Sequence, residues 1–138
     1  MSKSPITCHI AMVLLYVVLD ASLGKPAEGV EVTLQVFHKL PNKSSVCEPL
    51  AESRTDADGR CMHLWPEASS TQSKEDRSKL EAGKCYKVIF QTKEYFERTG
   101  RKSFYPWVDI TFEVENPTEH YHIPLLISPY SFTTYRGS

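Results

Sequence analysis

The chain has 138 residues, a formal net charge of -1 at pH 7, and 24% charged and 11% aromatic residues. This length predicts one domain with a substantial core. The near-neutral charge argues against nucleic acid or an anionic membrane surface as a partner. None of the four cysteines forms a C-x-x-C pair, which disfavours a zinc ribbon or a thioredoxin-like motif.

The first apolar stretch reads CHIAMVLLYVVLDASLG. It resembles a signal peptide with a poor cleavage region. It is short for a membrane span of roughly 20 residues, and His9 interrupts it. We favour the other interpretation, a long buried strand rich in Val, Leu and Ile.

Further along the chain, the dominant period is two. Alternating apolar residues predict strands in GVEVTLQVFHKL, KCYKVIFQT and WVDITFEVE, and a last pair in HYHIPLLIS and YSFTTY. The segment TDADG predicts a tight turn. KEYFERTG predicts a short helix that ends near Gly100, and the polar stretch EASSTQSKEDRSKLEAGK predicts an exposed, mobile loop. Seven to eight strands with one short helix predict an all-β, antiparallel sandwich.

Two histidines stand out because the sequence has no G-x-S-x-G, Walker or H-E-x-x-H motif. His120 and His122 are two residues apart, which places both side chains on one face of a strand and Tyr121 on the other. The pair could be polar surface, an acid and a base, or part of a zinc site. H-x-H is a weak motif, and a metal needs a third ligand, for which His9 is a candidate.

Arg60 directly follows the TDADG turn. It could be a solvated strand end, or its planar guanidinium could hold a carbonyl or an anion. His38 and His63 carry no pattern, and we interpret them as surface or core residues.

Five segments, in this order and spacing, carry a resemblance to a known family: DASLGKPAEGVEVTL, TDADGR, YKVIFQTKEYF, FYPWVDITFEV and HYHIPLLISPYSFTTYRGS. From Leu19 onward the chain resembles the transthyretin-like 5-hydroxyisourate hydrolases. The Tyr-Arg-Gly-Ser segment (residues 135–138) is the most specific element, because transthyretin, the hormone carrier of the same fold, lacks it.

The resemblance implies a transthyretin-like sandwich that assembles as a homotetramer, with active sites at the dimer–dimer interface. It implies a cyclic amide C–N hydrolase that converts 5-hydroxyisourate to 2-oxo-4-hydroxy-4-carboxy-5-ureidoimidazoline in urate breakdown, without a metal or organic cofactor. The alternative is a transthyretin-like protein that binds a small ligand without catalysis. We expect no nucleic acid or membrane partner, and a cytoplasmic location with the peroxisome as the alternative.

The same resemblance implies the site residues. The catalytic residues would be His9, Arg60, His120, His122 and Ser138, and the substrate-binding residues would be His9, Arg60, Tyr135, Arg136 and Gly137. We expect His122 and His9 to act as the acid/base pair and Arg60 to orient the substrate. Tyr135 and Ser138 would hold the polar edge of the substrate.

The chain departs from the family in its first strand, which in the family resembles T-C-H-V-L-D. Here the sequence reads ITCHIAMVLLYVVLD, and removal of residues 10–17 would produce ITCHVLDASLGKP. Aligned from Asp20, Val17 takes the place of the histidine; aligned from the other side, His9 is displaced by about 27 Å of extended strand. We therefore treat residues 1–138 as one hydrolase domain with an atypical apolar insertion at residues 10–17.

Overall fold

Strands make up most of the chain in this computed structural model, which describes residues 10–66 and 80–137, with side chains described for residues 13–63 and 80–137. A short helix separates the sixth and seventh strands. The elements in chain order are β1 (Ile10–Asp20), β2 (Lys25–Pro26), β3 (Glu31–Lys39), β4 (Ser45–Arg54), β5 (Arg60–Pro66), β6 (Lys84–Phe90), α1 (Thr92–Arg98), β7 (Val108–Val114), β8 (Tyr121–Ser128) and β9 (Ser131–Thr134).

Two sheets pack face to face. One sheet has the order β4-β3-β6-β7 and is antiparallel throughout. The other is built around β1, which pairs with β8 along one edge and with β2 and β5 along the other, and β9 follows β8. The predicted sandwich with one short helix is confirmed. Two details differ from the prediction: β1 and β8 run parallel, and the two-residue strand β2 has no alternating pattern that would reveal it.

The core lies between the sheets and consists of the apolar residues that alternate along the strands. The rings of Tyr16 and Phe90, one from each sheet, meet edge to face with centroids 5.8 Å apart. The alternation predicted for β3 and β6 is confirmed, because the apolar set on each strand is buried. These fully buried or nearly buried residues are Val30, Val32, Leu34, Val36, Tyr86, Val88 and Phe90.

Strand β1 is buried on one face only. Leu14, Tyr16 and Val18 are inaccessible to solvent, whereas the alternate residues Leu15 and Val17 are half-buried on the opposite face. The prediction of a strand is confirmed for residues 10–20, and residues 10–17 continue the sheet rather than looping out of it. This keeps Leu14, Tyr16 and Val18 in the core instead of exposing them to water.

One buried ion pair joins β1 to the region after α1. The carboxylate of Asp20 is fully buried and accepts hydrogen bonds from the Arg101 guanidinium at 2.7 Å, the Tyr95 hydroxyl at 2.8 Å and the Ser22 hydroxyl at 2.6 Å. Burial raises the pKa of Asp20, but the hydrogen bonds from Arg101, Ser22 and Tyr95 and the charge of Arg101 outweigh it and lower the pKa to about 2. The cluster thus fixes the end of β1 against the helix.

Helix α1 buries Tyr95 and Phe96, and Gly100 follows it with a φ of 75°, as the sequence predicts for a helix C′ glycine. Within the part of the chain that the structure describes, no helix is long and apolar enough to cross a membrane. Most of the predicted polar loop, residues 67–79, lies outside the described residues.

Candidate active site

A tight turn between β4 and β5 presents Arg60. The Asp56 carboxylate accepts hydrogen bonds from the backbone N–H groups of Asp58 and Arg60, each at 2.9 Å. Gly59 has a φ of 74°, and a Cβ there would lie 2.3 Å from the carbonyl oxygen of Val18. Only glycine allows the turn to approach β1 this closely, and the approach leaves Arg60 exposed as the first residue of β5.

The sheet register places Arg60 and His122 on the same face, one on each side of β1. Val17 lies opposite Arg60 on β5 and Pro124 on β8, and Leu15 lies opposite His122. Two strand spacings and an offset of two residues put the Cα atoms of Arg60 and His122 about 12 Å apart. Because Leu14 and Tyr16 point into the core, this shared face is the one turned away from the other sheet; we call it the outer face.

Gly137 packs directly on His122. The backbone N–H of Gly137 donates a 2.8 Å hydrogen bond to the carbonyl of His122. A Cβ at position 137 would lie 2.5 Å from Nδ1 of the imidazole, closer than side-chain atoms approach each other. Nε2 of His122 is buried and has no hydrogen-bond partner among the described residues. The imidazole is therefore held by the Tyr-Arg-Gly-Ser segment, with one ring nitrogen buried and unpartnered among the described residues.

The rest of the segment continues beside a groove of about 270 Å³ between the edges of the two sheets. Tyr135 is more than half exposed and lines this groove with His122 and with Ile110 and Phe112 of β7. Arg136 also borders it, but its guanidinium lies over the ring of Tyr121, 4.8 Å from the centroid, and 3.0 Å from the Glu119 carboxylate. Tyr121 points into the sandwich, as predicted from its place between the two histidines.

The other predicted site residues are placed as follows. His120 is exposed and precedes the first residue of β8. His9 and Ser138 lie outside the described residues. The structure thus brings Arg60, His122 and Gly137 to one sheet, and the functional roles of all the predicted residues stay predictions.

The two histidines without a sequence pattern match their interpretation. His63 is buried, its ring meets Tyr16 edge to face with centroids 5.2 Å apart, and burial lowers its pKa. His38 lies on the surface and contacts Glu48 at 3.1 Å. Among the described residues, no group of three His, Cys, Asp or Glu side chains is arranged to hold a metal ion.

Two residues of the candidate site were missed by sequence reasoning. Asp56 holds the turn before Arg60, and its place at the start of an Asp-x-Asp-Gly turn is a signal that could have identified it. Glu119 pairs with Arg136, which lies 17 residues further along the chain. No local pattern indicates this pair, because only the packing of the segment against β8 brings the two residues together.

The fold and the site define a two-sheet sandwich protein that carries an imidazole and a guanidinium on the outer face of one sheet. The sequence model of the HIUase/Transthyretin family matches residues 14–137. The chain is 40% identical to a 5-hydroxyisourate hydrolase of Salmonella typhimurium over 121 residues, covering 88% of this chain and 77% of that protein. It is 36% identical to the mouse (Mus musculus) 5-hydroxyisourate hydrolase, covering 99% of this chain and 97% of that protein.

A solved structure of a 5-hydroxyisourate hydrolase is similar to this chain as well. The structure of Klebsiella pneumoniae 5-hydroxyisourate hydrolase matches with a TM-score of 0.64 and 32% identity, covering 91% of this chain and 99% of that one. The chain belongs to the HIUase/Transthyretin family, as the resemblance predicted.

Proposed function

We propose that this protein hydrolyses 5-hydroxyisourate to 2-oxo-4-hydroxy-4-carboxy-5-ureidoimidazoline in urate breakdown. The observation that carries the proposal is the packing of Gly137 on the His122 imidazole, on the same sheet as Arg60. The Salmonella and mouse relatives, which the chain matches over most of its length, are named as hydrolases of this compound. Together, these findings favour a catalytic site over an ordinary polar surface.

The chemistry fits these side chains. Ring opening requires a water oxygen to bond to an amide-like carbonyl carbon, after which the ring C–N bond breaks and its electron pair goes to the nitrogen. A neutral imidazole takes the proton from the water and later delivers it to the departing nitrogen, and histidine titrates near the working pH. We assign this role to Nε2 of His122, a buried atom that has no hydrogen-bond partner among the described residues. Arg60 would orient the substrate and stabilise the negative charge that develops on the carbonyl oxygen.

The remaining roles are part of the same proposal. His9 would be the second member of the acid/base pair, His120 would support catalysis, and Tyr135 and Ser138 would hold the polar edge of the substrate. Val17, however, occupies the β1 position between Arg60 and Pro124. The proposed reaction therefore relies mainly on His122 and Arg60.

We also propose that the reaction is metal-independent. Activity should survive dialysis against a strong chelator, because general acid/base chemistry by imidazole needs no Lewis acid. Loss of activity that zinc restores would contradict this.

A homotetramer, with sites between two dimers, is part of the proposal. Its support is the apolar character of the outer face, where Leu15 and Val17 are half-buried and Met62 is 55% exposed. Light scattering coupled to gel filtration should give four times the mass of the chain. A monomer at micromolar concentration would contradict this assembly.

The proposed compartment is the cytoplasm, with the peroxisome as the alternative.

The second candidate function is the binding of a small ligand without catalysis, as in a carrier. The observation that favours it is the apolar pair on β1, because Val17 lies beside Arg60 and Leu15 lies beside His122 on the outer face. Binding of a small aromatic ligand without acceleration of hydrolysis would support this alternative.

The deciding experiment follows the ultraviolet absorbance of freshly made 5-hydroxyisourate with and without the protein. We expect His122→Asn to lower the rate about 10²–10⁴-fold, as for loss of a general base. Arg60→Gln should lower it about 10²–10³-fold. His38→Asn and Arg54→Gln are matched controls on the other sheet, where both residues are exposed, and should retain the wild-type rate. A wild-type rate equal to the spontaneous decay would overturn the proposed activity.

A further inference from the structure

Two neighbouring residues of the Tyr-Arg-Gly-Ser segment contact opposite sides of β8. Gly137 lies against the ring of His122, whereas the guanidinium of Arg136 stacks over the ring of Tyr121. Successive side chains of a strand point to opposite faces. The Arg136 guanidinium therefore lies on the Tyr121 side of β8, where Arg136 borders the same groove as His122 and Tyr135.

Arg136 is held by two contacts that support each other. Its Nη2 lies 3.0 Å from Oε1 of Glu119, and its planar group lies 4.8 Å from the centroid of Tyr121. The ion pair is solvent-exposed and weak by itself, but the cation–π contact adds to it. The Tyr121 ring is held in place by its hydroxyl. This hydroxyl accepts a hydrogen bond from the backbone N–H of Asn116 and donates one to the carbonyl of Asn116.

These contacts lie where the pairing between β8 and the segment is interrupted. Strand β9 ends at Thr134, which lies opposite Leu125. The pairing resumes only at the isolated bridge between His122 and Gly137, which keeps the same register. Between these two points the described strand pairing does not join the segment to β8. The side-chain contacts of Arg136 lie within this unpaired stretch.

We propose that Arg136 is a positioning residue, which acts through Glu119 and Tyr121 to hold Gly137 against the His122 imidazole. This role rests on the proposed function and differs from the direct contact with substrate that the sequence resemblance implies for Arg136. It also assigns a role to Glu119, as the anionic partner that keeps the guanidinium in place.

The first test measures positioning without any reference to catalysis. Amide hydrogen exchange of Gly137 reports its hydrogen bond to His122, and the amide of Gly83, bonded to Val114 at 2.8 Å, is an internal control. We expect exchange at Gly137 to be about 30-fold faster in Arg136→Gln, which loses both contacts, and about 5-fold faster in Glu119→Gln, which loses only the ion pair. Exchange at Gly83 should not change in either variant.

The second test separates positioning from substrate binding. A positioning role predicts that Arg136→Gln and Glu119→Gln lower kcat with little change in KM, and that the double variant is no worse than Arg136→Gln. Arg136→Lys keeps the charge but loses the planar stacking, so it should be intermediate in both kcat and Gly137 exchange. Gel filtration and thermal melts of all variants should match the wild type, because both side chains are exposed.

The outcomes distinguish this proposal from the proposed function. Unchanged Gly137 exchange in Arg136→Gln would overturn the positioning role, as would a raised KM with an unchanged kcat. Faster Gly137 exchange with an unchanged kcat would overturn it too, since catalysis would not depend on the position of the segment. If the wild type does not hydrolyse 5-hydroxyisourate but Gly137 exchange still responds to both variants, the contact network is supported and the proposed function is overturned.

Discussion

Val17 and Arg60 lie directly opposite each other on β1 and β5, and Val17 also neighbours Pro124 of β8. On the outer face Val17 is therefore the β1 residue beside Arg60, and Leu15 is the β1 residue beside His122. The family resemblance expects a histidine at this point of the first strand. An apolar side chain here leaves the described site with a single imidazole on the outer face of β8 and none on β1.

The first prediction concerns this position. We expect Val17→His to raise the rate of 5-hydroxyisourate hydrolysis at least about tenfold, because a second acid/base group contributes about 10²–10⁴-fold when it is well placed. The rate is compared with that of the wild type at equal folded concentration. Val13→His is the matched control, since Val13 lies on the same face four residues further from Arg60 and should give no gain.

Deletion of residues 10–17 also tests whether a histidine at this position raises activity, because it would place His9 three residues before Asp20. We expect higher activity from this variant as well. The deletion removes the buried residues Leu14 and Tyr16. Val17→His is therefore the decisive variant if the shortened chain does not fold. Equal or lower activity in a folded Val17→His protein would contradict the assignment of this position.

The turn before Arg60 supports the second prediction. Gly59→Ala should lower both stability and activity, because the positive φ costs roughly 1–2 kcal/mol and the added Cβ meets the Val18 carbonyl. Gly24→Ala is the control: its φ is 70°, but nothing lies within 4 Å of its Cβ. Urea unfolding should show a clearly larger loss for Gly59→Ala than for Gly24→Ala. Similar losses in the two variants would mean that the close approach to β1 is not maintained in solution.

A third prediction concerns Gly137. We expect Gly137→Ala to reduce hydrolysis by about 10²-fold while leaving the melting temperature unchanged, because the Cβ would displace the His122 ring without disturbing the core. Gly100→Ala, which has open space around its Cβ, serves as the control for activity. Wild-type activity in Gly137→Ala would show that the ring tolerates displacement.

Removal of residues 135–138 is the fourth prediction. It should abolish catalysis and leave the proposed tetramer intact, because Tyr135 and Arg136 bury little core area. Loss of one transition-state donor costs roughly 2.7–4 kcal/mol in known oxyanion sites, so loss of Tyr135 and Ser138 together with the contact of Gly137 on His122 brings the rate near background. Gel filtration, a thermal melt and the hydrolysis rate check this together. A truncated chain that unfolds would instead give the segment a structural role.

The fifth prediction follows from the buried carboxylate of Asp20. Its pKa is lowered from 3.8 to about 2, so it contributes stability above pH 3.8 that is lost as the pH falls through about 2. The shift corresponds to about 2 kcal/mol. Asp20→Asn should therefore lower the free energy of unfolding by about this amount at pH 7 and flatten its decline between pH 4 and pH 2. Asp109→Asn, at an exposed position, should change neither the free energy of unfolding at pH 7 nor its decline at low pH.

Local signals were sufficient for the alternating strands, the turn and the helix, but not for the two-residue strand β2. The alternation in Val30, Val32 and Leu34 predicts a half-buried strand because side chains on a strand point alternately to two faces, and all three residues are buried. The sequence also indicated that His122 and Tyr121 face opposite sides. The candidate site could be predicted only as a set of separate residues, since their distances depend on which strands pair.

What the sequence by itself determined is the identity of the elements, from periodicity, turn chemistry and the Tyr-Arg-Gly-Ser segment. Only the tertiary structure decided that β1 pairs in parallel with β8, that Val17 therefore lies beside Arg60 and Leu15 beside His122, and that Arg136 contacts Glu119 and Tyr121. The physical reason is that pairing between distant segments depends on how the whole core packs. A strand's own alternation specifies its faces, but it does not specify its neighbours or its register with them.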